Sequence, residues 1–148
     1  MSSSKQQPGP GRVPVHTLLA LGLLALFLLQ GILALDDLAP TWDEVGHLPA
    51  GYSYLKTNDY RLYPTNPPLM KQLAALPLLA MHLKLPLDSP YWEEERHIEF
   101  GQSFLYYTNA PAGVERIFFW ARLVILLAGA ALGWIIFRWT RKLYGPGA

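Results

Sequence analysis

Two short stretches concentrate the side chains able to do chemistry: Thr41-Trp42-Asp43-Glu44-Val45-Gly46-His47, and Tyr63-Pro64-Thr65-Asn66-Pro67-Pro68-Leu69-Met70-Lys71. Asp43 and Glu44 are the candidate catalytic carboxylates, because a carboxylate can take the proton of an incoming hydroxyl. His47, Arg61, Asn66 and Lys71 are candidate substrate-binding residues, with Arg122 farther along the chain. Lys71, Arg61 and the free amides of a helix opening at Asn66 can neutralise a phosphate. Convergence of these groups at a membrane surface would suit moving a sugar off a lipid phosphate. Metal chemistry is poorly served. The segment is not H-E-x-x-H, and Glu44 and His47 alone give too few ligands for a closed site. No metal and no cofactor is therefore expected, and a divalent cation is the one alternative considered.

These residues need elements to hold them. Thr41 and Glu44 have the S/T-x-x-E spacing of a capping box, which predicts a helix over about 42–56. Asp43 then sits at the second helical position, where the macrodipole favours an ionised carboxylate, and shares a face with His47. Acidic residues in a first turn are equally ordinary as plain capping and charge–dipole stabilisation. Pro49 is expected to kink this helix, while Val45, Leu48, Tyr52 and Leu55 form its apolar stripe. Asn66 followed by Pro67 predicts an N-cap and first helical position, opening a helix over about 67–84. Leu69, Leu73, Leu76 and Ala80 are its expected buried face, with Lys71 projecting elsewhere. The run is apolar but broken by Pro77, so it reads as interfacial or re-entrant. Ser89-Pro90 repeats the cap-then-proline signal and predicts a third helix over about 90–108, with Glu93, Glu94 and Glu95 in its first turns as solvated structural charge.

Two apolar runs bound the whole. Residues 17–35 carry no charge, and residues 117–137 carry one, Arg122. Each is long enough for a hydrocarbon core about 30 Å thick. The expected domains are a disordered cytoplasmic tail (1–14), a first transmembrane helix (15–35), a long loop (36–116), a second transmembrane helix (117–137) and a cytoplasmic end (138–148). Gln30 is the one strongly polar side chain inside the first span. Lys5 and Arg12 precede that span and Arg138, Arg141 and Lys142 follow the second, with no acid beside them. The loop holds all 11 acidic residues against 6 basic ones, a net −5. The positive-inside rule then puts both ends in the cytoplasm and the loop outside. Cleavage of the first run as a signal peptide is the competing idea. Against it stand the run's length and the poor site at Ile32-Leu33-Ala34. With no cysteine, the loop has neither disulfide nor thiolate. Nucleic acid is excluded as a partner because no basic patch exists. Arg122, about five residues inside its span, must either snorkel to the interface or meet an anion.

Taken in order, Trp42-Asp43-Glu44-x-x-His47, Gly51-x-x-Tyr54, Asn66-Pro67-Pro68-Leu69-x-Lys71, Trp120-Ala121-Arg122-Leu123 and Arg141-x-Leu143-Tyr144-Gly145 resemble the N-terminal part of the multi-spanning, C-type glycosyltransferases. Among these, the chain is similar to the protein O-mannosyltransferase family and its bacterial relatives, the lipid A aminoarabinose transferases. The resemblance covers residues 15–148. It implies an all-α membrane protein, here two transmembrane helices joined by an extracytoplasmic loop with about three interfacial helices, as a fragment of a larger multi-span fold. It further implies a polyprenyl-phosphate-linked sugar donor, inverting transfer to an acceptor hydroxyl on protein, lipid or glycan, and Asp43 as the base beside Glu44. The family segment near the lipid phosphate falls on Asn66 to Leu69, although the family often has His, Glu or Lys where this chain has Asn66. A bacterial inner membrane with the loop in the periplasm is the implied location. The alternative is a non-catalytic two-span protein whose loop binds a partner or a glycolipid.

Overall fold

The computed structural model describes residues 13–35 and 37–145. The tail expected over 1–14 lies outside the described residues save for Val13 and Pro14, as do Asp36 of the Asp36-Asp37 exit and Pro146 of the Gly145-Pro146 stop. All regular structure among the described residues is helical: α1 (Val15–Leu35), α2 (Trp42–Thr57), α3 (Pro68–Ala75), α4 (Pro90–Glu93), α5 (His97–Gln102) and α6 (Val114–Tyr144).

Helices α1 and α6 are long and apolar enough to cross a membrane, and little of either is buried within the chain. They pack antiparallel, with Gly31 against Leu126, Phe27 against Gly129 and Leu24 against Gly133. A Cβ on Gly31 would lie 2.4 Å from Leu126 Cδ1, so the Leu126 side chain occupies the space this glycine leaves. Arg141 donates from Nη1 to Thr17 Oγ1 at 3.0 Å, tying the far end of the pair. Gln30 is exposed on α1, away from this seam.

Helix α2 is the hub of the intervening region. Its capping box forms as the spacing demands: the Thr41 amide donates to Glu44 Oε2 at 2.9 Å, and the Glu44 amide donates to Thr41 Oγ1 at 3.4 Å. Val45, Leu48, Ala50, Tyr52 and Tyr54 are buried, with Leu55 packed at the edge. Pro49 lacks the N–H that would bond the Val45 carbonyl one turn back. The helix nonetheless runs through it, and the freed carbonyl lies against Gly101 of α5, where a Cβ would come within 1.9 Å. Glycine at 101 is thus the partner that proline at 49 requires. Gly51 makes the matching approach to α3, where a Cβ would lie 2.1 Å from the Lys71 carbonyl oxygen. Around this hub, Phe100, Phe104, Ile117 and Phe118 fill the core, each burial stabilising by about 1.5–3 kcal/mol.

Several expected boundaries are corrected. The second loop helix begins at Pro68 with Pro67 as its cap and no side-chain cap bond, not at Asn66 with Pro67 inside. Asn66 is engaged elsewhere: its side chain hydrogen bonds to His47. The α-helix also ends at Ala75, since Pro77 removes a donor and the chain tightens into a 3-10 helix over Leu76–Met81. Its buried side is the reverse of the expected one. Lys71, Ala75 and Leu78 are buried, whereas Leu69, Leu76 and Ala80 are exposed and Leu73 is half-buried. Periodicity located the leucine stripe correctly but could not say which side would meet α2, where the backbone contact at Gly51 puts the Lys71 side inward.

The third expected helix, 90–108, is broken. Helix α4 stops at Glu93, Glu94 caps it, and Glu95 is left-handed at φ 58°, so only Glu93 lies in a first helical turn. The chain restarts as α5 and widens into a π-helical turn over Ser103–Thr108. Asn109 stabilises that exit: its side-chain amide donates to the Lys84 and Phe104 carbonyls, and its oxygen accepts from the Lys84 amide. Tyr52 adds a 2.9 Å bond from its hydroxyl to the Leu83 carbonyl.

Candidate functional site

Packing α2, α3 and α6 together leaves a cavity of about 420 Å3, within the usual range for small-molecule sites of about 300–1,000 Å3. Its walls are amphiphilic. Leu48, Pro67, Met70, Ala74, Phe118, Ala121 and Ile125 are apolar, whereas Glu44, His47, Asn66, Lys71 and Arg122 bring polar groups. Five of the seven candidates from the sequence, Glu44, His47, Asn66, Lys71 and Arg122, therefore meet here.

Of the two alternatives for Arg122, the structure shows the anion, and it is one of this chain's own, so the guanidinium is not free for an external one. Its Nε donates to Glu44 Oε1 at 2.8 Å and its Nη2 to Glu44 Oε2 at 2.7 Å, a bidentate pair. Further donation to the Leu38 carbonyl at 2.7 Å and the Ala39 carbonyl at 3.1 Å fastens α6 to the segment leaving α1. Burial pushes the Glu44 carboxyl up, but hydrogen bonds from Arg122 and the Thr41 backbone outweigh it and hold the group below its usual value. Glu44 is therefore an ionised strut joining the capping box to α6.

Lys71 is built differently. Its side chain is 4 % exposed, with Nζ donating to the Tyr63 carbonyl and, at 3.4 Å, to the Tyr54 hydroxyl. No carboxylate among the described residues pairs with it. An ammonium has three donors, so one donor is left over, and no opposite charge among the described residues balances it. Burial pulls this amine below its usual value. The ring centroids of Tyr63 and Tyr54 lie 4.6 and 5.6 Å from Nζ and supply partial compensation.

His47 is oriented from two sides. Asn66 Nδ2 is 2.9 Å from its Nε2, and burial followed by the Lys71 charge lowers its pKa, opposed by the Asp43 charge and a bond to the Asp43 backbone. A neutral ring at neutral pH results, with Nε2 accepting from the Asn66 amide. Asp43 is exposed, one turn before His47, and is not among the lining residues. Its carboxylate has no hydrogen-bond or ion-pair partner among the described residues. Arg61 is not brought to the site at all: it pairs with Asp59 at 2.8 Å and lies over Trp92 at 5.0 Å.

Two aromatic groups to which the motifs assigned no role, Tyr63 at the head of the second stretch and His97, pack behind the cavity without being among its lining residues. The Tyr63 ring stacks on His47 with centroids 4.5 Å apart and on His97 with centroids 4.0 Å apart. Tyr63 has φ 55° and precedes Pro64, a conformation that costs an aromatic residue about 1–3 kcal/mol. His97 opens α5 and gave no signal in sequence, because it belongs to neither motif and reaches the site only through the α2–α5 packing at Gly46 and Gly101. No group of three or more His, Asp or Glu with the spacing of a metal site occurs among the described residues.

Comparison with protein-family models, with curated proteins and with solved structures finds no match to this chain.

Proposed function

We propose that the chain belongs to a membrane glycosyltransferase that moves a sugar from a polyprenyl-phosphate donor to an acceptor hydroxyl on the extracytoplasmic side. The reading rests on the amphiphilic cavity: apolar walls shared with α6 for a prenyl chain, and among its polar lining the buried Lys71, whose ammonium has no carboxylate partner among the described residues. An anion is what such a group lacks, and a lipid phosphate supplies one together with an apolar tail. In this reading α1 and α6 cross the membrane, and the exposed leucine side of α3 and the following 3-10 helix lies at its surface. The neutral His47 and Asn66 contact the sugar or phosphate. Asp43, without a partner among the described residues, takes the proton of the acceptor hydroxyl as the hydroxyl oxygen attacks the anomeric carbon and the polyprenyl phosphate leaves, inverting that centre. Arg122 and Glu44 hold the geometry.

Asp43→Asn in the native membrane protein is expected to abolish transfer while leaving insertion and donor binding unchanged. Retained transfer removes Asp43 from the mechanism. The position of Asp43 outside the cavity lining favours one other reading, a non-catalytic loop that binds a glycolipid. On that reading the substitution leaves glycolipid binding intact, and no transfer is found in the unsubstituted protein either.

A further inference from the structure

The Lys71 ammonium is held by a carbonyl that would not ordinarily be there. Tyr63 is non-glycine, aromatic, left-handed at φ 55° and followed by Pro64. Proline restricts the residue before it to extended conformations, so nothing local favours this backbone. Its consequence is the contact with Lys71: the Tyr63 carbonyl accepts from Nζ and, at 3.4 Å, from the Tyr54 hydroxyl. Something tertiary must hold Tyr63 in place, and its ring shows what. It lies against His47, at 20° with centroids 4.5 Å apart, and closer and more nearly parallel against His97, at 9° with centroids 4.0 Å apart. His97 in turn is seated by Gly46, where a Cβ would lie 3.0 Å from His97 Cδ2 and 3.7 Å from Tyr63 Cδ1.

We infer that His97 is a positioning residue for the cavity: by stacking on Tyr63 it holds that residue left-handed and so keeps the Tyr63 carbonyl on the Lys71 ammonium. Helix α5 is thereby coupled to a site whose lining comes from α2, α3 and α6 and the segment before α3. Only the ring plane of His97 is needed, because stacking depends on aromatic area and alignment. Its role as a placement device for a donor phosphate rests on the transferase reading, but its effect on Lys71 does not.

The test measures the rate at which Lys71 is acylated by a water-soluble amine reagent, mapped by mass spectrometry on the chain in lipid nanodiscs. His97→Phe keeps the stack and is expected to label at the rate of the parent. His97→Leu fills similar volume without stacking and is expected to label roughly tenfold faster at Lys71, with helix content by circular dichroism unchanged. Gly46→Ala, which pushes on His97 from the other side, is expected to fall between them. Equal labelling of the Phe and Leu variants at parent helix content overturns the inference. So does faster labelling of the Phe variant at parent helix content, since the ring plane would then not be what holds Tyr63. Polyprenyl-phosphate affinity measured on the same samples separates the two readings. Faster labelling in His97→Leu with unchanged affinity upholds His97 as the holder of Tyr63 and removes the donor phosphate from Lys71.

Discussion

Arg122 and Lys71 line one cavity and answer opposite needs. Arg122 is met by a bidentate carboxylate and by carbonyls at the end of α1, so its donors are spent within the chain. Lys71 is the more deeply buried, yet among the described residues it meets a carbonyl and a phenol and no anion. A buried charge is costly unless paired. A fully partnered cation therefore reads as architecture, and a buried cation left with its charge uncommitted reads as a site awaiting an anion. The contrast separates two residues that look alike in sequence, each a basic side chain in an apolar neighbourhood.

The largest expected effect breaks the architectural side. Arg122→Met leaves Glu44 unpaired and frees α6 from the α1 exit, and should cost about 3 kcal/mol, toward the lower end for a buried pair because Glu44 keeps some exposure. Reversible unfolding in mixed detergent micelles checks it, and a loss under 1 kcal/mol on the order of an exposed pair would deny Arg122 its structural role. Gly51→Ala comes next. Its Cβ would meet the Lys71 carbonyl, and separating α2 from α3 should cost about 2 kcal/mol, measured the same way; wild-type stability would show that the two helices yield without cost.

Lys71→Met sharpens the other side. It removes an unpaired buried charge while conserving shape, so stability should hold or rise by about 1 kcal/mol while affinity for a polyprenyl phosphate falls at least tenfold. A stability loss like that of Arg122→Met would make Lys71 architectural as well.

The smallest effect is in the pH profile. His47 and His97 are both held below the ordinary value of 6.5, chiefly by burial. The unfolded chain then takes up protons first on acidification, so their contribution to stability is present at neutral pH and is lost as pH falls below 6.5. Glu44, held below 4.5, keeps its contribution until more acid conditions. Lys71 has the same sign as the histidines at the alkaline end: stability rises as pH climbs from its lowered value toward 10.5. The double substitution His47→Gln with His97→Gln should flatten the stability profile between about pH 7 and pH 5. An undiminished slope would place the titrating groups elsewhere.

Much of this was legible in local signals. The capping box, the start of α2 and the two long apolar helices depend on interactions within a few residues or on simple length, and the chain order shows them directly. Asn66 was legible as important but not in its role, since a cap and a partner for His47 use the same side chain. The inward face of α3 was misjudged because apolar periodicity assumes that leucine seeks the interior. Here Leu69 and Leu76 are exposed and Leu73 half-buried, and the backbone approach at Gly51 turns Lys71 inward.

The sequence by itself determined where α1, α2 and α4 begin, how long α1 runs, and which residues carry charge, because those follow from caps, prolines and side-chain chemistry at short range. Only the tertiary structure decided which cation is spent and which is uncommitted. That outcome depends on Glu44 reaching Arg122 across 78 positions, and on Tyr63 being held in a conformation its own neighbours oppose. Both are long-range contacts whose geometry no local preference specifies.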